Sequence, residues 1–257
     1  MSLVTEYKRQ FGWRAWPAVF AALPPLGGRT VLDLGCGVGD LAAALVARGA
    51  RVIGIDLNRE LLDAARARGL PNAEFRSGDL RALPDPGVAA DGIWCSFAAA
   101  YLPDLAPALA SWARHLRPGG WIALTEIDDL FGHEPLSERS RALFEAHARD
   151  ALAAGRYDFR MGRKLRGHLE RAGFTVSREF TLKDRELSFD GPALPEVTVA
   201  WRERFDRLKL FRDFCGAEFE AVRAEFLGCL ARVDHRSTAK VCCCIAARRA
   251  DSALQIG

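Results

Sequence analysis

The stretch VLDLGCGVGDLAAAL, residues 31–45, sets glycines at alternate positions, Gly35, Gly37 and Gly39, directly after a run that reads as a buried strand. Glycine permits positive φ and lets another molecule approach the backbone with no Cβ in the way. The helix expected from Asp40 onward offers unpaired N–H groups at its start. In open parallel sheets, ligands sit beyond the carboxyl ends of the strands, and the first strand-to-helix turn is the usual anchor. This turn is built to hold something closely.

Spacing narrows what it holds. A dinucleotide fingerprint, G-x-G-x-x-G, would put its third glycine at position 40, where the chain has Asp40. An aspartate at a helix N-terminus repels a pyrophosphate, which counts against a nicotinamide dehydrogenase. With Asp33 inside the strand end and Asp40 just past the turn, a cationic or zwitterionic ligand fits better. A sulfonium amino acid qualifies.

Outward from this turn the chain alternates strand and helix. TVLDLG is a strand, residues 40–48 a helix, RVIGIDL a strand, and residues 59–68 a helix with Asn58 as N-cap. AEFRSGD and DGIWCSF read as strands, residues 105–116 as a helix capped by Asp104, and RPGGWIALTEI as a turn feeding a fifth strand. Strands joined by helices of this length need crossover connections, hence a parallel sheet covered on both faces. The expected fold is α/β, a doubly wound, Rossmann-like, mostly parallel seven-stranded sheet with a helical lid and an insertion. Before the first strand, residues 1–30 suggest one amphipathic helix. Past Ile127 the rhythm breaks: residues 137–154 and 163–172 read as helices, FTVSREFTLKDREL as a sixth strand, and residues 239–246 as the last. Trp201, Phe205, Leu208 and Phe211 fall on one face of a helical insertion, and Phe219, Val222 and Phe226 continue it.

Composition bounds the function. The 257 residues, 49% hydrophobic and 27% charged, allow a sizeable core in one large or two modest domains. A net charge of +3 and the lack of a basic tract imply no strong pull toward nucleic acid or anionic lipid. No apolar run reaches the roughly 18 to 20 residues of a membrane span, and MSLVTEYKRQ lacks the apolar centre of a signal peptide, so a cytoplasmic protein is expected. The seven cysteines show no metal-site spacing; Cys242, Cys243 and Cys244 read as small apolar fillers of a strand.

These motifs, in this order, resemble the class I S-adenosylmethionine-dependent methyltransferases, in particular the small-molecule type related to the quinone-biosynthesis enzymes. VLDLGCGVG matches the first motif, SGDLRALP the third, DGIWCSFAAAYL the fourth-strand motif, and LRPGGWIALTE the fifth strand. The resemblance covers roughly residues 28–185 and implies S-adenosylmethionine as cofactor. By it, Asp33, Gly35, Cys36, Gly37 and Gly39 cradle the methionine part, with Asp33 reaching the ammonium directly or through water. Asp56 accepts from the ribose hydroxyls, Asp79 from the adenine amino group, Leu57 and Leu80 sandwich the ring, and Ser96 and Phe97 line the methionine and substrate side. It also places residues 1–30, with Trp13 and Trp16, as a flap over the cofactor. The single domain then divides into that flap, a cofactor-binding core at 31–127, a lid segment at 128–160, more core at 161–189, a helical insertion or cap at 190–236, and the last strand and tail at 237–257.

Methyl transfer from a sulfonium needs an aligned nucleophile and an absence of water, with no covalent residue. A hydroxyl acceptor would add a general base, for which His133, His147 and Tyr157 are the candidates. Glu126 and Asp128 stand near the same strand end and could orient substrate. Asp128, Asp129, His133 and Glu134 do not reproduce a metal arrangement, so no metal is expected. After the fourth strand Ser96, Phe97, Ala98 and Ala99 stand where methyltransferases of nucleobase amines or glutamine carry an Asn/Asp-Pro-Pro-aromatic tetrapeptide, which argues against nucleic acid as partner. The expected partner is a small-molecule methyl acceptor. The apolar face of the insertion reads first as core packing or the surface of a homodimer, and alternatively as a cap whose aromatics enclose an apolar acceptor. Arg202, Arg204, Arg207 and Arg212 read as a solvated face, one of which could serve an acidic substrate. The rival readings are a non-catalytic S-adenosylmethionine or S-adenosylhomocysteine-binding protein, and a tRNA or protein methyltransferase.

Overall fold

The computed structural model describes residues 3–102 and 104–248. Seven strands form one sheet: β1 (Thr30–Leu34), β2 (Arg51–Asp56), β3 (Ala73–Ser77), β4 (Ala90–Ser96), β5 (Leu116–Asp128), β6 (Phe174–Leu182) and β7 (Lys240–Arg248). Their spatial order is β3-β2-β1-β4-β5-β7-β6. Every neighbouring pair is parallel except those of β7, which runs antiparallel to both β5 and β6. The expected doubly wound sheet is the one observed. Order reverses at β1, so β1 and β4 open a crevice at their carboxyl ends, where this class of sheet places ligands.

The central strands are apolar on both sides because both faces are covered. Val31, Val52, Trp94 and Trp121 point into one core, and Leu32, Leu34, Ile53, Ile55 and Ile93 into the other. Successive side chains alternate across a strand, so a five-residue strand such as β1 feeds both layers. Register brings Leu34 level with Ile55 and Cys95, and Asp33 level with Gly54 and Trp94. The ends of β1, β2 and β4 therefore present their last residues to one space.

Ten helices surround the sheet among the described residues: α1 (Leu3–Trp13), α2 (Trp16–Ala22), α3 (Asp40–Val46), α4 (Arg59–Arg66), α5 (Leu105–Ala113), α6 (Glu138–Ala153), α7 (Leu165–Arg171), α8 (Pro195–Arg207), α9 (Lys209–Cys215) and α10 (Phe219–Leu230). Caps follow the sequence: Asn58 accepts from Leu61, Asp104 from Ala106 and Ser137 from Ser140.

Two expectations are corrected. The single helix expected over residues 1–30 is two, because Pro17 has no N–H for the Trp13 carbonyl. That carbonyl accepts from the Arg185 N–H at 3.2 Å instead, and Arg14 leaves the helix to bridge Asp184. The insertion also breaks, at Leu208, where the backbone turns to φ −75° and ψ 60°. Its aromatics follow the core-packing reading and form no cap over a ligand space. Phe205, Phe211 and Phe226 pack against Phe131 or Phe144, and Trp201 packs on Phe205 and Phe226, with ring centroids 4.4 to 6.4 Å apart, joining α6 and the insertion into one core. The tail expected to follow the last strand falls on residues 249–257, outside those described.

Candidate active site

At the carboxyl ends of β1, β2 and β4 lies a cavity of about 610 Å³, closed on its far side by α1, Arg14 and the end of α8. Its floor is the glycine turn. Gly35, Gly37 and Gly39 all adopt positive φ, 74°, 52° and 74°. A Cβ on Gly35 would lie 2.5 Å from Ala98 Cβ, and one on Gly37 would lie 3.2 Å from the Tyr7 ring. The turn thus tolerates no side chain at Gly35, for reasons of conformation and of space.

Asp56, the last residue of β2, faces this turn. Its Oδ2 accepts from Gly37 N–H at 2.9 Å and its Oδ1 from Asn58 N–H at 2.8 Å. A carboxylate has about four acceptor positions, so each oxygen keeps one for a ligand hydroxyl. Asp33 lies deeper, 1% exposed. Its Oδ2 has no hydrogen-bond partner among the described residues. Burial, with a smaller contribution from Asp56, pushes its carboxyl up to about 8. A buried acceptor without a donor is costly, and a ligand ammonium would supply both the donor and the charge. Asp40 reaches the same space but is bound at 2.7 Å by Arg68, so its charge is largely spoken for.

Asp79 accepts from the Arg81 N–H at 2.9 Å and is clasped by the Arg81 guanidinium at 2.7 to 3.1 Å, which holds its carboxyl below the usual range. Trp112 Nε1 donates to the Leu80 carbonyl at 2.8 Å and pins the backbone there. Cys36, Leu57, Ser96 and Phe97 also line the cavity. Ser96 Oγ accepts from Trp94 Nε1 at 2.7 Å, and Phe97 sits at φ 58° under the Arg14 guanidinium, 4.0 Å from its ring centre. Gly39 is not on the lining; it starts α3, and its Cβ would meet Phe75 Cζ at 3.0 Å.

Of the three expected catalytic candidates the structure brings only Tyr157 to the cavity. His133 is 1% exposed among Phe189, Trp201 and Phe226, and its Nδ1 lies 2.9 Å from His235 Nε2. Burial depresses it to about 3, with His235 and Arg204 adding to the shift. His147 packs against Phe159, Phe211 and Phe214. Both point inward because an imidazole on a helix or strand end can serve aromatic packing as well as chemistry, and neither lines the cavity. Asp128 holds Arg163 at 2.7 Å. No group of three His, Cys, Asp or Glu is placed to hold a metal ion among the described residues. Tyr157, stacked edge-on against Tyr101 at 4.8 Å, has its phenol pushed well above its ordinary value by burial and by Glu126. Its hydroxyl therefore stays protonated near neutral pH. Glu126 is fully buried, accepts from Ala100 N–H at 3.0 Å, and fixes the short turn Ala99–Tyr101 that presents Tyr101.

The far wall falls within residues 1–30, where the resemblance places a flap; Trp16 lines it and Trp13 does not, and the other residues that form it were not singled out from the sequence. Leu3, Glu6, Tyr7, Gln10, Phe11 and Arg14 all line the cavity, at the i, i+3, i+4, i+7 spacing of one helix face. That periodicity was readable, but its mixed polarity hid it. Arg204 and Arg207 line it too, and they replace the insertion's aromatics as the part that faces a ligand.

A doubly wound sheet of this strand order, with a left-handed glycine turn after β1 and an acidic residue closing β2, defines the class I S-adenosylmethionine-dependent methyltransferase fold. The residues fit the cofactor: the turn admits close approach, Asp56 has spare acceptors for a ribose, and Asp33 wants a cation.

Comparison with known proteins agrees. Residues 31–120 match the family described as methyltransferase domain. Trans-aconitate 2-methyltransferase of Azoarcus sp. (strain BH72) is 42% identical over 113 residues, 43% of this chain and 44% of that protein. Ubiquinone biosynthesis O-methyltransferase of Paracidovorax citrulli is 38% identical over 111 residues, 41% of this chain and 47% of that protein. The matches thus span less than half the length of these relatives. Among solved structures, an S-adenosylmethionine dependent methyltransferase from Mesorhizobium loti shares the fold with a TM-score of 0.57 at 22% identity, over 91% of this chain and 97% of that one. The [4+2]-cyclase SpnF does so with a TM-score of 0.56 at 20% identity, over 87% of this chain and 76% of that one. The fold alone therefore does not fix the reaction.

Proposed function

We propose that this chain transfers the methyl group of S-adenosylmethionine to an oxygen, nitrogen or carbon atom of a small organic molecule. The observation that carries the reading is the pair of carboxylates flanking the glycine turn: Asp56, with both oxygens already engaged by backbone amides and still able to accept, and Asp33, buried with Oδ2 unpartnered among the described residues. The cofactor supplies an electrophilic methyl on a cationic sulfur. The chain supplies the rest: a cradle for the methionine part, apolar walls from Phe11, Trp16 and Phe97 that exclude water, and the hydroxyls of Tyr101 and Tyr157 to orient an acceptor.

A small acceptor is supported by the names of the two relatives, one acting on trans-aconitate and one in ubiquinone biosynthesis. It is also supported by the closure of the cavity by α1 and α8, which act as flap and cap in this reading. A tRNA or protein acceptor would call for an open basic rim, whereas Arg14, Arg81, Arg204 and Arg207 are each paired with a carboxylate. No helix among the described residues is long and apolar enough to cross a membrane. The seven cysteines are free thiols, which suits work in a reducing cytosol.

The test is calorimetric titration with S-adenosylhomocysteine, followed by transfer of a labelled methyl from S-adenosylmethionine to a panel of small acids, phenols and amines. Saturable binding with labelled product supports the proposal. A protein that binds no S-adenosylhomocysteine would remove it, and binding without transfer to any acceptor would leave a cofactor-binding protein.

A further inference from the structure

Resting on that reading, we propose that the acceptor is an organic acid with an apolar body, and that Arg204 of the insertion reads its carboxylate. Arg204 is 15% exposed and comes from the last turn of α8, where it faces the space above the cofactor cradle. Its Nε and Nη2 both donate to Glu186 Oε1, at 3.0 and 2.6 Å. Only the side edge of the guanidinium is used. The end edge, Nη1 with the second Nη2 hydrogen, makes no hydrogen bond among the described residues. That edge has the two parallel N–H groups that match the two oxygens of a carboxylate.

The surroundings favour an anion at this spot. Arg14 lines the same cavity and spends its Nε on Asp184 at 2.9 Å. Arg207 lines it as well and reaches Glu6 Oε1 at 2.6 Å. Of the charged groups on this wall, three are arginines and one, Glu6, is acidic; Asp184 and Glu186 stand behind it. Tyr7, Tyr101 and Tyr157 line the same cavity as Arg204. Those rings, with Phe11 and Leu208, leave the remainder of the wall apolar. A carboxylate anchored on Arg204 would thus hold an apolar body between the tyrosines, with its other end toward the methyl donor. An amine would find no unpaired carboxylate on this wall, since Asp184, Glu186 and Glu6 are each engaged by an arginine.

The experiment uses the full chain saturated with S-adenosylhomocysteine and measures binding of matched pairs: 4-hydroxyphenylacetate against 4-hydroxyphenylacetamide, and benzoate against benzamide, with phenyl phosphate and phenethylamine alongside. The acids are expected to bind at least about tenfold more tightly than their amides. In Arg204→Gln the preference should fall below about threefold while S-adenosylhomocysteine affinity holds. Because that change strands Glu186 in the interior, the doubly substituted R204Q/E186Q protein is measured as well, with the same expectation. Equal binding of acid and amide, no binding of either acid, tighter binding of phenyl phosphate or phenethylamine, or a preference that survives both substitutions would each overturn the assignment. Loss of S-adenosylhomocysteine binding in the unaltered protein would instead defeat the underlying reading.

Discussion

Asp56 Oδ2 accepts the backbone N–H of Gly37 at 2.9 Å, joining the end of the second strand to the loop that follows the first. One carboxylate therefore sets the shape of the cradle and keeps acceptor positions free for a ligand. Asp56→Ala should weaken S-adenosylhomocysteine binding about tenfold or more, since hydrogen bonds to a charged group contribute about 1.5 to 3 kcal/mol each. Asp56→Asn, with one acceptor oxygen, should fall between. Calorimetry showing unchanged affinity for Asp56→Ala would remove this residue from the site.

Gly35→Ala should cost at least about 1 kcal/mol of stability from its left-handed backbone alone, and more from the 2.5 Å approach to Ala98 Cβ. The double substitution Gly35→Ala with Ala98→Gly relieves the second cost and leaves the first. Denaturant unfolding should rank wild type above the double substitution, and that above Gly35→Ala. Equal stability of all three would show that the turn accepts a side chain.

Asp33 holds its proton in the folded chain up to about 8, whereas the unfolded chain releases it near 3.8. Between those values the unfolded state binds fewer protons, so this group makes stability fall as pH rises across that window. Asp33→Asn should flatten the slope. S-adenosylmethionine affinity should move the other way, rising from pH 6 to 8 as the carboxylate that pairs with an ammonium forms. A pH-independent affinity in wild type, or an unchanged profile in Asp33→Asn, would contradict the pairing.

The His133 and His235 pair gives an opposite slope. His133 stays neutral in the folded chain down to about 3 and is charged in the unfolded chain below 6.5. Its contribution is complete above 6.5 and is lost as pH falls from there toward 3. From pH 7 to pH 5 the loss from this residue is about 2 kcal/mol. His133→Phe should reduce that slope by a comparable amount in denaturant unfolding at the two pH values, and an unchanged slope would show that the histidine is charged or solvated in the fold.

Much of the cradle was legible without a structure because it is local. The strand, the alternate glycines, Asp33 and the start of the following helix lie within about fifteen consecutive residues, and Asp56 and Leu80 follow at or just past the ends of the next strands, where period-two burial leaves few choices. The mostly parallel, doubly wound sheet was legible from the lengths of the connections, whereas the strand order and the antiparallel last strand came only with the structure.

The acceptor wall was not local. Glu6 and Arg207 are about two hundred residues apart and meet at 2.6 Å only because α1 and α8 are both packed down beside the sheet. The aromatic spacing of the insertion marked one buried face correctly, yet nothing in that spacing says whether the buried face or its arginine edge looks into the cavity. His133 was misjudged for the same reason: its place in the sequence put it at the right end of the sheet, and the rings of Phe189, Trp201 and Phe226 pulled it into the core. The sequence alone determined the sheet, the glycine turn and the carboxylates at its edge, since short-range geometry leaves those little freedom. Only the tertiary structure decided which side chains close the cavity, because that depends on how distant helices divide their faces between a shared apolar core and the space above the sheet.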